Sequence, residues 1–502
     1  MDRVIPSTMA SQHPDHAGKP WWHTAEFIST RREVKECFLT FSQLGISEYK
    51  WDWEGKFVDE SVAEKLLGEH FEYFKDHPLG KEKFLTFRLP NPKVETEFRL
   101  GRAFMVILAA SSLARHLGLY NRPLFEVILP MTQTAAEMIS IQEAYAELGT
   151  LKHSLYNMTS DSIRHLEVIP LFEDIETIMR SDTILSEYLS LHKKKFGYTP
   201  PYMRPYIARS DPALNAGLVP TVLAIKVALS RYRQFELKTE VPLYPILGSA
   251  SLPFRGGLTP HTVSEFVEEY AGVRTALIQS AFRYDFPLRE VNDGIQQLEK
   301  LLPKGTAKDI SKEEEKRIRM ILPGFERPYK TTIEAVAPLI NEVALCLPKR
   351  RERVQHIGLF GYSRGVGTVR LPRAITFTGA LYSLGVPPEL IGTGRGLAEA
   401  KKKGQLETIE KHYLGIKSAL RRAGRFVNKE SLSLLAELSP HWQDVLSDVG
   451  FIEAYLGEEL GAQTAEEEEH AGISWFIVSN IDNVKELGEQ FAQAALLRKS
   501  LG

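Results

Sequence analysis

Apolar, β-rich runs and amphipathic helical runs alternate along most of this chain, and the alternation restricts the folds open to it. Strand-like runs rich in β-branched and aromatic residues recur at 48–53, 84–89, 125–129, 166–172, 202–208, 241–247 and 276–282. Between them, apolar residues at helical spacing mark 103–117, 134–148, 181–196, 219–233 and 262–270. A strand-then-helix step of this length builds either a βα-barrel or a doubly wound sheet. So many strands in succession favour the barrel, so the fold class is α/β with a TIM-like (β/α)8 barrel. The eighth strand is expected at 354–360, after a helical excursion through 312–347. From about residue 390 the pattern is helical, with amphipathic stretches at 397–403, 407–423, 429–437 and 483–497. No clean linker interrupts the chain. Residues 1–502 therefore read as one integrated unit: a barrel with active-site loops over about 1–390, and a helical C-terminal region over about 391–502 packed on it.

Composition narrows the function classes. The chain has 502 residues, 43% hydrophobic, which is ample for a large core. Lys and Arg total 62 against 64 Asp and Glu, and this balance argues against a dedicated nucleic-acid binder. The longest apolar stretch, 105–113, is too short to span a bilayer. Residues 1–18 are polar, with no apolar segment of the secretory kind, so a cytoplasmic location is expected. Cys37 and Cys346 both fall in apolar helical patterns and read as reduced core thiols. The acidic run 466–469 reads as a solvated loop.

Two strand candidates stop at carboxylates. One runs into Pro170-Leu171-Phe172-Glu173, the other into Arg209-Ser210-Asp211. In a βα-barrel the strand ends converge on one rim, where active sites sit. Two carboxylates there, with water and substrate oxygens completing the shell, suit Mg²⁺ or Mn²⁺. For either alone, a helix N-cap is the commoner role. Arginines gather beside predicted strand ends: Arg88 before Leu89-Pro90, Arg255 before Gly256-Gly257, and Arg364 and Arg373 at the two ends of a Gly365-Val366-Gly367 segment. Guanidinium forks bind carboxylate and phosphate bidentately. A single such arginine is usually a surface ion pair, but four beside two carboxylates are harder to dismiss. The glycine-rich stretch lacks the spacing of a P-loop and of a dinucleotide fingerprint, and reads as a mobile lid over an anion. His13, in Gln12-His13-Pro14-Asp15, is held off a helix by the proline that follows it and is a candidate base.

Together these motifs resemble the archaeal-type phosphoenolpyruvate carboxylases. The resemblance runs from Gln12-His13-Pro14-Asp15 to the last residues. It is carried most specifically by Trp51-Asp52-Trp53-Glu54-Gly55-Lys56, Val168 to Glu173, Phe254-Arg255-Gly256-Gly257, Gly361-Tyr362-Ser363-Arg364 and Leu371-Pro372-Arg373-Ala374. It implies a barrel elaborated with many helices, mostly helical overall. The implied reaction is irreversible conversion of phosphoenolpyruvate and bicarbonate to oxaloacetate and phosphate, dependent on Mg²⁺ or Mn²⁺. It also implies a homotetramer, inhibited by aspartate in many members. By the same resemblance, Glu173 and Asp211 are metal ligands, and His13 is the essential loop histidine. Arg88 contacts substrate anion, Arg255 belongs to a glycine-rich loop, and Arg364 and Arg373 flank the mobile loop. The catalytic set is thus His13, Arg255 and Arg364, with Arg88 and Arg373 binding substrate.

The chain departs from the longer form of the family at two places. Gly248-Ser249-Ala250-Ser251 stands where a Gly-Arg-Gly-Gly is found, and Asp211-Pro212-Ala213-Leu214 lacks a lysine. Arg209 is a candidate replacement for that charge. Two other readings stay open on the residues alone. One is a different metal-dependent lyase acting on an enolate, separable by bicarbonate dependence. The other is a non-catalytic sensor of aspartate or phosphoenolpyruvate on a barrel scaffold.

Overall fold

A strand with one face toward helices and the other inside a barrel alternates two kinds of side chain. In Glu48–Asp52, Tyr49 and Trp51 join the large apolar core shared with the surrounding helices, while Glu48, Lys50 and Asp52 occupy the other face. The same alternation repeats around a closed barrel of eight parallel strands. These are β1 (Thr8–Ser11), β2 (Glu48–Asp52), β3 (Phe84–Arg88), β4 (Glu126–Leu129), β5 (Glu167–Phe172), β6 (Tyr206–Ile207), β7 (Ile246–Leu247) and β8 (Thr275–Ile278). The structure is a computed structural model and describes residues 4–95, 98–120, 122–150, 165–352, 364–366 and 369–502. Most of these residues are helical.

The eighth strand expected at 354–360 lies outside the described residues, and the barrel closes without it. The strand that completes it is β1, paired to β2 through Met9↔Glu48 and to β8 through Met9↔Leu277. Four residues with a hydroxyl at each end, between Pro6 and Pro14, give little apolar signal, which is why the segment reads as a loop in the sequence. Prolines also shorten two strands. Pro205 and Pro245 donate no hydrogen bond, so β6 and β7 each keep only two residues. The expected run 276–282 divides into β8 and a short helix, Ser280–Tyr284.

The helices follow the apolar periodicity closely. Ser181–Phe196 has the expected bounds, and the excursion is a single helix, Lys312–Cys346, opened by a Ser311–Glu314 capping box. The expected stretch 407–423 is two helices, Leu406–His412 and Ile416–Gly424. The acidic run 466–469 is not a loop. It forms the first turn of Ala465–Ser479, where Thr464 and Glu467 make a capping box and the carboxylates face the positive end of the helix. Cys37 is buried as expected, whereas Cys346 is half-exposed on the last turn of its helix. The C-terminal helices pack on Lys312–Cys346 and on Ala374–Ser383, and Leu501 N returns to donate to the Asp15 carbonyl at 2.7 Å.

The inward faces of the strands form layers. An apolar layer contains Met9, Ile128, Ile169, Leu171, Tyr206, Ala208, Ile246 and Leu277. On its N-terminal side the floor is ionic. Arg204 Nη2 binds Glu48 Oε2 at 2.6 Å, and Nη1 binds Glu126 Oε2 at 2.7 Å. Tyr202 donates to Glu126 at 2.8 Å and Thr86 to Glu48. Burial pushes the Glu126 carboxyl up to about 7, an effect that Arg204 only partly offsets. Removing the cation would strand two buried carboxylates. We therefore expect Arg204→Met to cost about 3–5 kcal/mol, read from equilibrium unfolding. A loss under about 1 kcal/mol would show that this ionic floor does not hold the barrel.

Candidate functional site

The opposite, C-terminal ends of the strands form the rim where a barrel carries its chemistry. Glu173 is the first residue after β5. The cap of the next helix falls to Asp174, whose Oδ1 accepts Thr177 N at 2.8 Å and Oδ2 accepts Thr177 Oγ1 at 2.6 Å. Glu173 is left half-buried at the rim, where its charge acts on Arg88 and Tyr206. Asp211, also half-buried, lies in the first turn of Ser210–Ala216, the helix that follows β6. β5 and β6 are neighbours in register Phe172↔Ile207, so the two carboxylates leave adjacent strand ends. Among the described residues no group of three or more His, Cys, Asp or Glu is arranged around a metal. By donor chemistry, two carboxylates from adjacent strand ends are the hard oxygen ligands that a Mg²⁺-type ion takes beside water and substrate.

Arg88 ends β3 and is buried. Its Nε and Nη2 each stand 2.5 Å from an oxygen of Asp52, and Nη1 is 2.6 Å from Glu54. Burial works to lower its pKa, yet Asp52, Glu54 and Glu173 hold the guanidinium well above its usual range. Beside it, Gly55 adopts a left-handed φ of 65°, and a Cβ there would stand 2.8 Å from Arg373 Nη2. Arg373, the residue before the helix Ala374–Ser383, thus lays its guanidinium across the loop after β2.

Arg255 closes a short 3₁₀ turn, Pro253–Arg255, followed by Gly256 at a φ of 122°. Its Nη2 donates to Gln279 Oε1 at 2.7 Å and its Nε to Ser210 Oγ at 3.1 Å. Nη1 donates to the Gly502 carbonyl and lies 3.9 Å from Asp15 Oδ2. Burial pulls this guanidinium down to about 10, with Asp15 opposing. The turn is clamped from both sides. Arg209 donates to the Phe254 carbonyl at 2.9 Å and the Pro253 carbonyl at 3.3 Å, while Glu389 accepts Phe254 N at 2.6 Å. Arg209 is therefore engaged in holding the turn, not in presenting charge at the rim in place of a lysine.

His13 follows β1 on a loop. Its Nδ1 is 2.7 Å from Ser11 Oγ, and its carbonyl is 2.5 Å from Ser280 Oγ. Arg364 opens β9 (Arg364–Val366), which pairs antiparallel with β10 (Val369–Leu371) through Leu371↔Arg364. β9 packs against Ser210–Ala216, the helix of Asp211. The Arg364 side chain and the Gly367-Thr368 part of the expected lid lie outside the described residues.

The rim thus gathers three groups. His13, Asp15 and Arg255 stand by β1 and β8, Glu173 and Asp211 by β5 and β6, and Arg88 and Arg373 by β2 and β3. Sequence reasoning missed Ser11, Asp52, Glu54 and the buried Lys50. One signal was available for the last three: Glu48, Lys50, Asp52 and Glu54 place a charge at every second position, alternating with Tyr49, Trp51 and Trp53.

A family model described as phosphoenolpyruvate carboxylase matches residues 5–502. The phosphoenolpyruvate carboxylase of Leuconostoc mesenteroides is 41% identical over 478 residues, 95% of this chain and 94% of that protein. Those of Metallosphaera sedula and Caldivirga maquilingensis are 38% and 36% identical, each with 100% of both chains covered. With the barrel, the rim carboxylates and the rim arginines in place, this chain belongs to the archaeal-type phosphoenolpyruvate carboxylase family.

Proposed function

We propose that this chain carboxylates phosphoenolpyruvate irreversibly with bicarbonate, giving oxaloacetate and phosphate, a carbon–carbon lyase reaction that replenishes four-carbon acids. The observation that carries this reading is the convergence of two carboxylates on adjacent strand ends with arginines from three other loops of the same rim, in a chain of this family. Arg88 and Arg373 bind the phosphoryl and carboxylate groups of the substrate. Arg255 and Arg364 orient the phosphoryl group for in-line attack and balance the charge that develops on it. Bicarbonate attacks phosphorus, the enolate of pyruvate leaves, and carboxyphosphate forms. His13 takes the carboxyphosphate proton, and the C–O bond to phosphate breaks to give CO₂ and phosphate. The enolate then attacks CO₂ and closes the carbon–carbon bond. Glu173 and Asp211 would hold Mg²⁺ or Mn²⁺. When bound, the ion supplies Lewis-acid stabilisation of the developing negative charge.

The same reading extends to the molecule as a whole. We propose that residues 1–502 act as one catalytic unit, assembled as a cytoplasmic homotetramer with aspartate as an inhibitor. Nucleic acid and membrane have no part in it.

The test is direct. Purified protein with phosphoenolpyruvate, Mg²⁺ and bicarbonate should form oxaloacetate, followed by coupled reduction to malate. Activity should vanish without bicarbonate or with a chelator. Pyruvate formation that ignores bicarbonate would overturn the assignment. Asp211→Asn removes one charged oxygen ligand and should raise the metal concentration for half-maximal rate by at least roughly tenfold. An unchanged metal titration would remove Asp211 from the site. Arg364→Ala should raise the share of pyruvate among the products, and an unchanged product ratio would exclude Arg364 from protecting the enolate.

A further inference from the structure

His13 reaches the rim on an arm whose backbone is fixed on both sides. Before it, Ser11 is in register with Lys50 of β2, and Arg283 Nη2 donates to the Ser11 carbonyl at 2.7 Å. Gln12 Oε1 accepts Asp52 N at 2.8 Å, tying the same arm to β2. After it, the buried Ser280 hydroxyl lies 2.5 Å from the His13 carbonyl and 2.7 Å from Asp15 Oδ1, and accepts Asp15 N and His16 N at 3.1 Å each. With the main chain so held, the freedom left to His13 is rotation of its ring about χ1 and χ2. The contact of Nδ1 with Ser11 Oγ, at 2.7 Å from a fully buried serine, bears on that freedom.

We propose that Ser11 is a positioning residue for the carboxylation: its hydroxyl engages His13 Nδ1 and turns Nε2 toward the reacting groups. The proposal rests on the reading of this chain as a phosphoenolpyruvate carboxylase with His13 as base. A neutral imidazole that accepts a proton at Nε2 carries its own proton on Nδ1. Nδ1–H then donates to Ser11 Oγ. When Nε2 takes the proton of carboxyphosphate, the imidazolium keeps Nδ1–H and the same bond persists, so the ring does not turn during the step. After the C–O bond breaks, its electron pair resides on phosphate, and phosphate takes the proton back from Nε2. A carboxylate at Nδ1 would make the ring a stronger base and retain that proton. A hydroxyl orients the ring without adding charge, which suits a base that must return its proton in the same turnover.

The experiment compares Ser11→Ala, Ser11→Thr and His13→Asn in the full chain, scoring oxaloacetate and pyruvate separately. Ser11→Ala should lower kcat for oxaloacetate by about 10–100-fold, with KM for phosphoenolpyruvate within about twofold of the unmodified chain. Its product mixture should shift toward that of His13→Asn. Ser11→Thr, which keeps a hydroxyl on the same carbon, should recover kcat to within about threefold. An unchanged kcat in Ser11→Ala would overturn the proposal. So would a threonine variant as poor as the alanine one with KM raised in both, because that pattern reports lost packing. An unmodified chain that makes no oxaloacetate would overturn the functional reading itself, and is told apart from the others before any variant is made.

Discussion

Arg204 crosses the floor of the barrel and ties Glu48 of β2 to Glu126 of β4, the buried charge balance on which the apolar layer above it rests. Two carboxylates without it would repel each other in a medium where charge is poorly screened. The same device recurs at the rim, where Arg88 is gripped by Asp52 and Glu54. β2 supplies a carboxylate to both ends, since Glu48 and Asp52 lie on one face of one strand. Inward charges therefore stiffen the strand from which the loop bearing Glu54 and Gly55 departs.

Arg88 and Arg255 are prepared at the rim in different ways. Arg88 is surrounded by carboxylates and its charge is locked in. Arg255 is deeply buried, with the Asp15 carboxylate no nearer than 3.9 Å, and burial lowers its pKa. Preorganised donors of this kind act without reorganising at the moment of reaction. Arg209 and Glu389, which fix the turn of Arg255, contribute to the site although neither needs to touch substrate.

Much of this was legible in the sequence, because helices and buried strands carry strong apolar periodicity. The strands at 48–53 and 84–89, the helix 181–196 and the long helix from Lys312 needed nothing beyond it. β1 escaped notice because a four-residue strand rich in hydroxyls has no such periodicity, and its pairing with β8 is a long-range fact. The acidic run at 466–469 was misread because charge patterning alone does not distinguish a loop from the first turn of a capped helix. At the site, Glu173 stands after β5 and Asp211 in the first turn after β6, as the strand-end argument required. What could not be read was which partner each arginine has. Arg209 turned inward to carbonyls of the Pro253–Arg255 turn because that turn, not a charge at the rim, needed a donor.

Closure through β1 and β8 has a consequence for how the molecule is made. The Ser280 hydroxyl that clasps the His13 carbonyl lies 267 positions further along the chain. Until that stretch has been synthesised, the first strand has only one neighbour and the histidine loop has no clasp. Contacts of such separation close slowly. While the residues between β1 and β8 are being made, the growing chain carries an open sheet edge, a state prone to mispairing with other chains. The base of the proposed reaction is thus made long before the serine that sets it in place.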